Sequence, residues 1–507
     1  MGHIRSPHDR SPQIPHTMLR IALALRFRLL PVLVAALLPV AAFADQAAPM
    51  VEIDAEALAD KIHGGLVGQL LGNLNGLAHE MKYIEQPGRV ERYVPGLPEG
   101  ARTDDDTDLE WVYVVAIERG ELLLPPGQIA ALWKAHLNDR IWCANLYARQ
   151  LIDLGFEPPL TGQPLLNPWS DFNLSGQFVC ESFGLMSPGM PQTAGRIGLH
   201  YTRVAIDGEP AQTTQLFTAM IATAFFTDRL EEILEAGVAA VDRQSQIYKI
   251  VADVRRWHGE QPDDWRATRA AIKGAYSRHG GAMRDCNGYE LNTASTVAAL
   301  LYGQGDFAET LRLAFNFGWD ADNNAATAGS ILGVVRGRRW FDEQGWTIRD
   351  RYQNTSRPGL PRDETISRFA GRLTELADRV IRQQGGEAVE RDGRKFYRIR
   401  TERPAPVEPI TPPREAIAAL RARLQSQIDA GLAPGASAEG QARAAYLAIC
   451  LDRVRESAEK DPAAWSRAME SLKQYPGLLK ALRDSPTPAA KTLVARLNAA
   501  QAGLQGR

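Results

Sequence analysis

The chain is 507 residues long, with 45% hydrophobic and 23% charged residues and a formal net charge of −2. That is ordinary globular material, enough for one large domain with an appendage or three modest domains. Its near-neutral balance excludes the strong basic charge that draws proteins to nucleic acid or acidic membrane surfaces. Its four cysteines, Cys143, Cys180, Cys286 and Cys450, form no CxxC or Cys/His zinc spacing.

Arg20, Arg26 and Arg28 precede the apolar run LLPVLVAALLPVAAF, which leads into Ala42-Phe43-Ala44. A basic segment, an apolar core and an A-x-A site read as a secretory signal peptide over residues 1–44, with Met18 as an alternative start. The run is shorter than the roughly 20 residues a membrane span needs. The mature protein is therefore expected to begin near Asp45 and to be exported, periplasmic or secreted, with no membrane attachment after cleavage.

From Asp54, the positions Ala57, Leu58, Ile62, Leu66, Leu70 and Leu71 predict a helix capped by the aspartate. Glycine recurs along it every fourth residue, at Gly64, Gly68, Gly72 and Gly76. Each costs a helix about 1 kcal/mol relative to alanine, so four on one stripe require a compensating contact. Far downstream, Ala325, Gly329, Gly333 and Gly337 repeat the spacing, and the two stripes are expected to face each other near the domain centre. Gly76 is expected to end the first helix as a C-cap, leaving Leu77-Ala78-His79-Glu80 in a loop.

Amphipathic segments follow at 128–137 and 141–154. Residues 156–200 are rich in Pro, Gly, Ser and Asn, lack helical periodicity and carry Trp169, Phe172, Phe178 and Phe183, which suggests an ordered lid or rim. Helical patterns resume at 209–226, 228–241, 243–257, 264–277, 291–303 and 307–316, and again at about 361–384. Segment 386–404 alternates around an Asp-Gly turn and predicts a small hairpin, while the Pro-rich stretch 404–413 reads as a linker. The fold class is all-α: a compact helical domain over 51–385, a hairpin and linker over 386–413, and a C-terminal helical module over 414–507 that packs on the main domain or binds a partner.

Two acidic clusters stand out. Thr103-Asp104-Asp105-Asp106-Thr107-Asp108 opens the helix LEWVYVVAIERG, and Asp320-Ala321-Asp322-Asn323 opens the second glycine helix. Each alone reads as acidic residues at a helix N-terminus, where free N–H groups and the dipole favour negative charge. Brought together they would repel, by roughly 4 kcal/mol for charges about 4 Å apart at an effective dielectric of 20. Hard divalent cations with oxygen ligands remove that cost. Trp111 and Trp319 beside the clusters read as core aromatics, His79 as a structural histidine, and Asn287, Glu290 and Asn292 as pocket-lining or capping groups.

These residues resemble a known family. Segment 61–80, KIHGGLVGQLLGNLNGLAHE, is similar to the opening of the ADP-ribosylglycohydrolase family, which includes the dinitrogenase-reductase-activating glycohydrolase. Residues 103–107 resemble its Thr-Asp-Asp-Thr motif, and 318–333 its Gly-x-Asp-x-Asp helix start. The chain departs from that pattern: Asn73 replaces the usual Asp, Ala78 the usual Pro, Asp104 a Thr (unless Thr103 takes that position), and Asn323 a Thr or Ser.

The resemblance implies an all-helical domain holding two Mg²⁺ ions, or Mn²⁺, through Asp104, Asp105, Asp106, Asp320, Asp322 and Asn323, with Asp106 and Asp322 as bridging ligands. It implies hydrolysis of an N- or O-glycosidic bond in a small or protein-linked ADP-ribosyl or ribosyl substrate, with Glu80, Asp105 and Asp106 as catalytic residues. Such chemistry needs charge stabilisation at the anomeric carbon, a proton for the leaving group and an activated water. Two other readings are a non-catalytic, metal-dependent binding protein on the same fold, and acidic clusters that merely cap helices.

Overall fold

The computed structural model describes residues 49–277 and 287–505. The signal-peptide reading of residues 1–44, and Cys286, lie outside them. Helices dominate the described residues, joined by two small three-stranded sheets. No described helix is long and apolar enough to cross a membrane.

Three helices frame the acidic clusters: α1 (Ala55–Gly76), α2 (Asp105–Arg119) and α3 (Ala321–Arg336). At the centre α1 and α3 run antiparallel with their glycine stripes in contact, leaving no room for a side chain between them. A Cβ on Gly64 would stand 2.6 Å from the carbonyl carbon of Gly337, one on Gly68 2.7 Å from that of Gly329, and one on Gly333 2.8 Å from that of Gly64. Backbone contact this dense offsets the weak helix propensity of glycine through dispersion and Cα–H···O contacts. The antiparallel sense sets the end of α1 against the start of α3, where a Cβ on Gly76 would lie 2.8 Å from the Cβ of Asp322. The expected C-cap role of Gly76 is thereby corrected: the chain keeps turning through Leu77 in right-handed conformation, and the glycine answers to its neighbour on α3.

Asp54 caps α1, accepting from the backbone N–H groups of Glu56 (2.9 Å) and Ala57 (3.2 Å). The same residue ends strand β1 (Met50–Asp54). Strands β2 (Ala101–Arg102), β3 (Tyr352–Gln353) and β4 (Asp363–Glu364) form one sheet, β2 parallel to β3 and β3 antiparallel to β4. This sheet delivers the first acidic cluster directly to the start of α2. Strands β5 (Glu387–Arg391) and β6 (Arg394–Arg400) are the predicted hairpin. Asp392 and Gly393 both have positive φ, 53° and 72°, as a two-residue type I′ turn requires. β1 adds to the free side of β6, with Met50 opposite Arg400.

Residues 156–200 correct the expectation of an ordered lid or rim. Trp169, Phe172, Phe178 and Phe183 are all buried, and the stretch includes the short helix Glu181–Leu185 and the longer Pro191–Thr202. An irregular chain can enter the core when side chains satisfy its backbone. Asn167 does so by donating to the carbonyls of Ala144 (3.0 Å), Thr161 (3.0 Å) and Ala205 (3.3 Å).

The Pro-rich stretch from 404 crosses the helical body without helix or strand until the next helix begins at Pro413. Gln215 brackets it, accepting from the N–H of Val407 (2.7 Å) and donating to the carbonyl of Glu408 (3.0 Å). The helices beyond it, Pro413–Leu432 to Pro488–Gln505, dock on residues 143–173. There the Tyr446 hydroxyl meets that of Tyr147 (2.8 Å), and the Trp169 indole donates to the carbonyl of Ala481 (2.9 Å).

Gly68→Ala would drive a methyl into the Gly329 carbonyl group, and overpacking of this kind costs about 1–3 kcal/mol or more. Gly371→Ala, on a helix with open space at that position, is the control and is expected to be neutral or stabilising by a few tenths of a kcal/mol. Thermal and urea unfolding followed by circular dichroism compares the two.

Candidate metal centre

The site forms where α1 ends and α2 and α3 begin. Asn73, in the last turn of α1, donates through Nδ2 to Asp104 Oδ2 (2.8 Å) and Asp106 Oδ2 (3.1 Å). From α3, Asn323 Nδ2 donates to Asp106 Oδ1 (3.3 Å). One turn deeper, Gln69 donates to the Asp106 carbonyl (3.2 Å) and to Glu110 (3.0 Å), tying α1 to the first turn of α2. Thr103 faces the other way: its hydroxyl accepts from Thr355 N (2.8 Å) and bonds Thr355 Oγ1 (3.0 Å). Asp104, not Thr103, therefore leads the cluster into the site.

Carboxylate oxygens of Asp104, Asp106 and Asp322 lie within 4.8 Å of one another, and so do those of Glu80, Asp320 and Asp322. Asp322 is common to both trios, and Asp106 belongs to one. Asp105 belongs to neither and is half-buried at the start of α2.

The turn into α3 is strained. Gly318 and Trp319 have positive φ, 83° and 57°, a conformation that costs a bulky residue on the order of 1–3 kcal/mol. Hydrogen bonds hold it: the Trp319 carbonyl accepts from Met81 N (2.9 Å), and Asn292 Oδ1 accepts from Asp320 N (3.1 Å) and Asn324 Nδ2 (2.9 Å). Trp111 and Trp319 are fully buried, and His79 stacks on Phe315 with ring centroids 5.0 Å apart. These three take the structural roles read from the sequence, while Asn292 positions the α3 turn.

Burial raises the proton affinity of Glu80, Asp105, Asp106, Asp320 and Asp322, and neighbouring charges add to it. Asp106 is held well above the usual range by desolvation and then by Asp322. Asp320 is raised by desolvation and then Asp106, and Asp322 by desolvation and then Asp320. Asp105 and Glu80 are raised by desolvation and then Asp104. The nearby cations are engaged at the edge or elsewhere: Arg102 comes only to 3.9 Å from Asp104, and Arg357 pairs with Asp108 at 2.7 Å, both side chains fully buried.

Three buried oxygens in the cluster, Asn73 Oδ1, Asp322 Oδ1 and Asn323 Oδ1, have no hydrogen-bond donor. All-oxygen donors, excess negative charge and unused lone pairs suit a hard divalent cation. Asn323 fits in both its atoms, since Nδ2 serves Asp106 and leaves Oδ1 available.

Sequence reasoning missed a polar layer beneath the site. Glu110 accepts from the Ser182 N–H (3.0 Å) and hydroxyl (2.9 Å), and Glu181 accepts from Thr327 (2.5 Å). Burial pushes Glu181 up to about 7. The available signal was a lone acid, Glu110, inside the apolar run of α2, one helical turn after Asp106.

Fold and site together define a predominantly helical protein with an acidic, metal-competent centre at the meeting of three helix ends. The family model for ADP-ribosylglycohydrolase matches residues 54–390, and the chain belongs to that family of glycohydrolases, which act on ADP-ribosylated substrates. A solved structure described as an ADP-ribosylglycohydrolase-related protein complex is similar at 17% identity, covering 64% of this chain and 98% of that one with a TM-score of 0.38. No curated protein matches the chain.

The raised carboxyls set a pH dependence. An aspartate whose folded pKa is raised contributes stability that is fully present below its ordinary value near 3.8 and is lost as pH rises through the raised value. Chelating divalent metal is therefore expected to lower the melting temperature more at about pH 8 than at about pH 5, and Mg²⁺ addition to release protons. Calorimetry with and without chelator checks this, and the dependence flattens in Asp106→Asn.

Proposed function

We propose that this protein is a metal-dependent hydrolase that cleaves an N- or O-glycosidic bond of an ADP-ribosyl or ribosyl substrate at a dinuclear Mg²⁺ centre, with Mn²⁺ able to substitute. The supporting observation is the pair of carboxylate trios that share Asp322, one of which contains Glu80. Asp104, Asp106 and Asp322 would hold one cation and Glu80, Asp320 and Asp322 the other, with Asp105 and the Asn323 amide oxygen completing the donor set. When bound, the two cations supply positive charge that orients the sugar hydroxyls and acidifies water.

Glu80 is half-buried on the loop after α1, and burial together with Asp104 raises its proton affinity. With one carboxylate oxygen toward the cation, its other oxygen would exchange a proton with the leaving group or the attacking water. The carboxylates of Asp105 and Asp106 stabilise positive charge developing at the anomeric carbon. The leader reading of residues 1–44 places this reaction outside the cytoplasm. Recovery of the protein from cells with residues 1–44 intact in the cytosol would contradict that placement.

Asn73 and Asn323, which stand where the family has Asp and Thr or Ser, favour a second reading, a metal-dependent binding protein without turnover. Purified protein with Mg²⁺ and a panel of ADP-ribosyl-arginine, ADP-ribosyl-serine and simple ribosides separates the two. Hydrolysis is expected, abolished in Asp322→Ala and slowed about 10²–10⁴-fold in kcat by Glu80→Gln. Tight binding with no product from any member of the panel would sink the hydrolase and leave the binder.

A further inference from the structure

Arg269 lies on the helix Trp265–Tyr276, far in sequence from both acidic clusters, and is buried; the charge of Glu85 acts on it from beyond the 4.0 Å of an ion pair, and Glu85 itself pairs with Lys273. Its Nε donates to the Phe317 carbonyl (3.0 Å), and its Nη2 donates to the carbonyls of Tyr83 (2.7 Å) and Ile84 (2.9 Å). Its guanidinium also lies over the Trp319 ring, 4.4 Å from the centroid. All four partners lie within four residues of a member of a single carboxylate trio: Tyr83 and Ile84 follow Glu80, and Phe317 and Trp319 precede Asp320.

Taking a guanidinium out of water is costly, so its burial here needs several compensating contacts. Three carbonyl acceptors and an aromatic face provide them. The turn it grips is the strained one, with Trp319 at a φ of 57°, a conformation that persists only where the surroundings over-determine it. The other trio shares Asp322, which close contact with Gly76 seats against α1, and its remaining members depend on different groups. Asp104 and Asp106 are held by the amides of Asn73 and Asn323, and neither amide touches Arg269.

We propose that Arg269 is the positioning residue for one half of the metal centre, clamping the Glu80 loop to the Gly318–Trp319 turn so that Glu80, Asp320 and Asp322 face a common cation. The inference rests on the two-cation reading above. It makes the two halves separable, because loss of the clamp frees Glu80 and the turn before Asp320, while Asp322 stays seated against Gly76 and Asp104 and Asp106 stay held by their amides.

Mn²⁺ binding to the full chain, measured by calorimetry and electron paramagnetic resonance, tests it. The wild type is expected to take up two ions. Arg269→Met keeps the bulk of the stem and loses the donors, and should retain one ion at near wild-type affinity while weakening the other at least tenfold. Arg269→Lys keeps a cation over Trp319 but cannot fork to three carbonyls, and should fall between; it decides the matter if the Met variant does not fold. Unchanged affinity for both ions in a folded variant overturns the proposal, as does equal weakening of both, which a purely structural role would produce. A wild type that binds fewer than two ions removes the two-cation reading itself, an outcome visible before any variant is made.

Discussion

The contact on which everything else depends is backbone against backbone. α1 and α3 approach so closely that carbonyl groups of each occupy the space where side chains of the other would begin. This sets a rigid origin for the site. Gly76 touches Asp322, and one turn back Asn73 reaches across to Asp104 and Asp106, so the spacing of one helix pair determines how carboxylates from three segments meet. A methyl group added to this interface would move Asp322 relative to the amide that holds its neighbours.

That geometry gathers acids in a place where water cannot fully screen them. The chain softens the repulsion in two ways. The N-termini of α2 and α3 both point at the cluster, each offering about half a positive charge. The amides of Asn73 and Asn323 also donate to the carboxylates while adding no charge of their own. Neither device uses the orphaned oxygens of Asn73, Asp322 and Asn323, which are buried acceptors without a donor. The protein thus stops short of neutralising its own site, and the remaining deficit has the sign and hardness of a divalent cation. Asn73 in place of the family's usual aspartate lowers the total negative charge by one and makes the residue a donor to its neighbours.

Periodicity made much of this legible. Glycine every fourth residue located the central helix pair, and amphipathic spacing placed helices such as Pro126–His136, Gln246–Glu260 and Phe307–Phe317 close to their observed bounds. Acids at two helix starts located the site because their charge has no packing explanation. Structure held by single side chains was harder to see. Residues 156–200 have no period, since Asn167 and its neighbours satisfy the backbone one carbonyl at a time, and the sequence therefore suggests an ordered lid or rim where the fold has core. Arg269 lies on an amphipathic helix where an arginine ordinarily marks the wet face. Here three carbonyls from distant segments surround it, a setting that helical spacing does not encode. Glu110 and Glu181 were likewise hidden, because a buried acid is recognised by its donors and those come from other helices.

The pairing of Met50 with Arg400 also has a bearing on the life of the nascent chain. At roughly 5–20 residues per second, a ribosome needs on the order of 20–70 seconds to supply β6 after β1 has been made. Through that interval β1 carries unsatisfied amide and carbonyl edges, with Val51 and Ile53 alternating among polar neighbours, the kind of segment to which chaperones and stray strands bind. Final closure of the sheet must therefore follow elongation through the whole helical body, and a chain stalled before the hairpin would be left with an adhesive end.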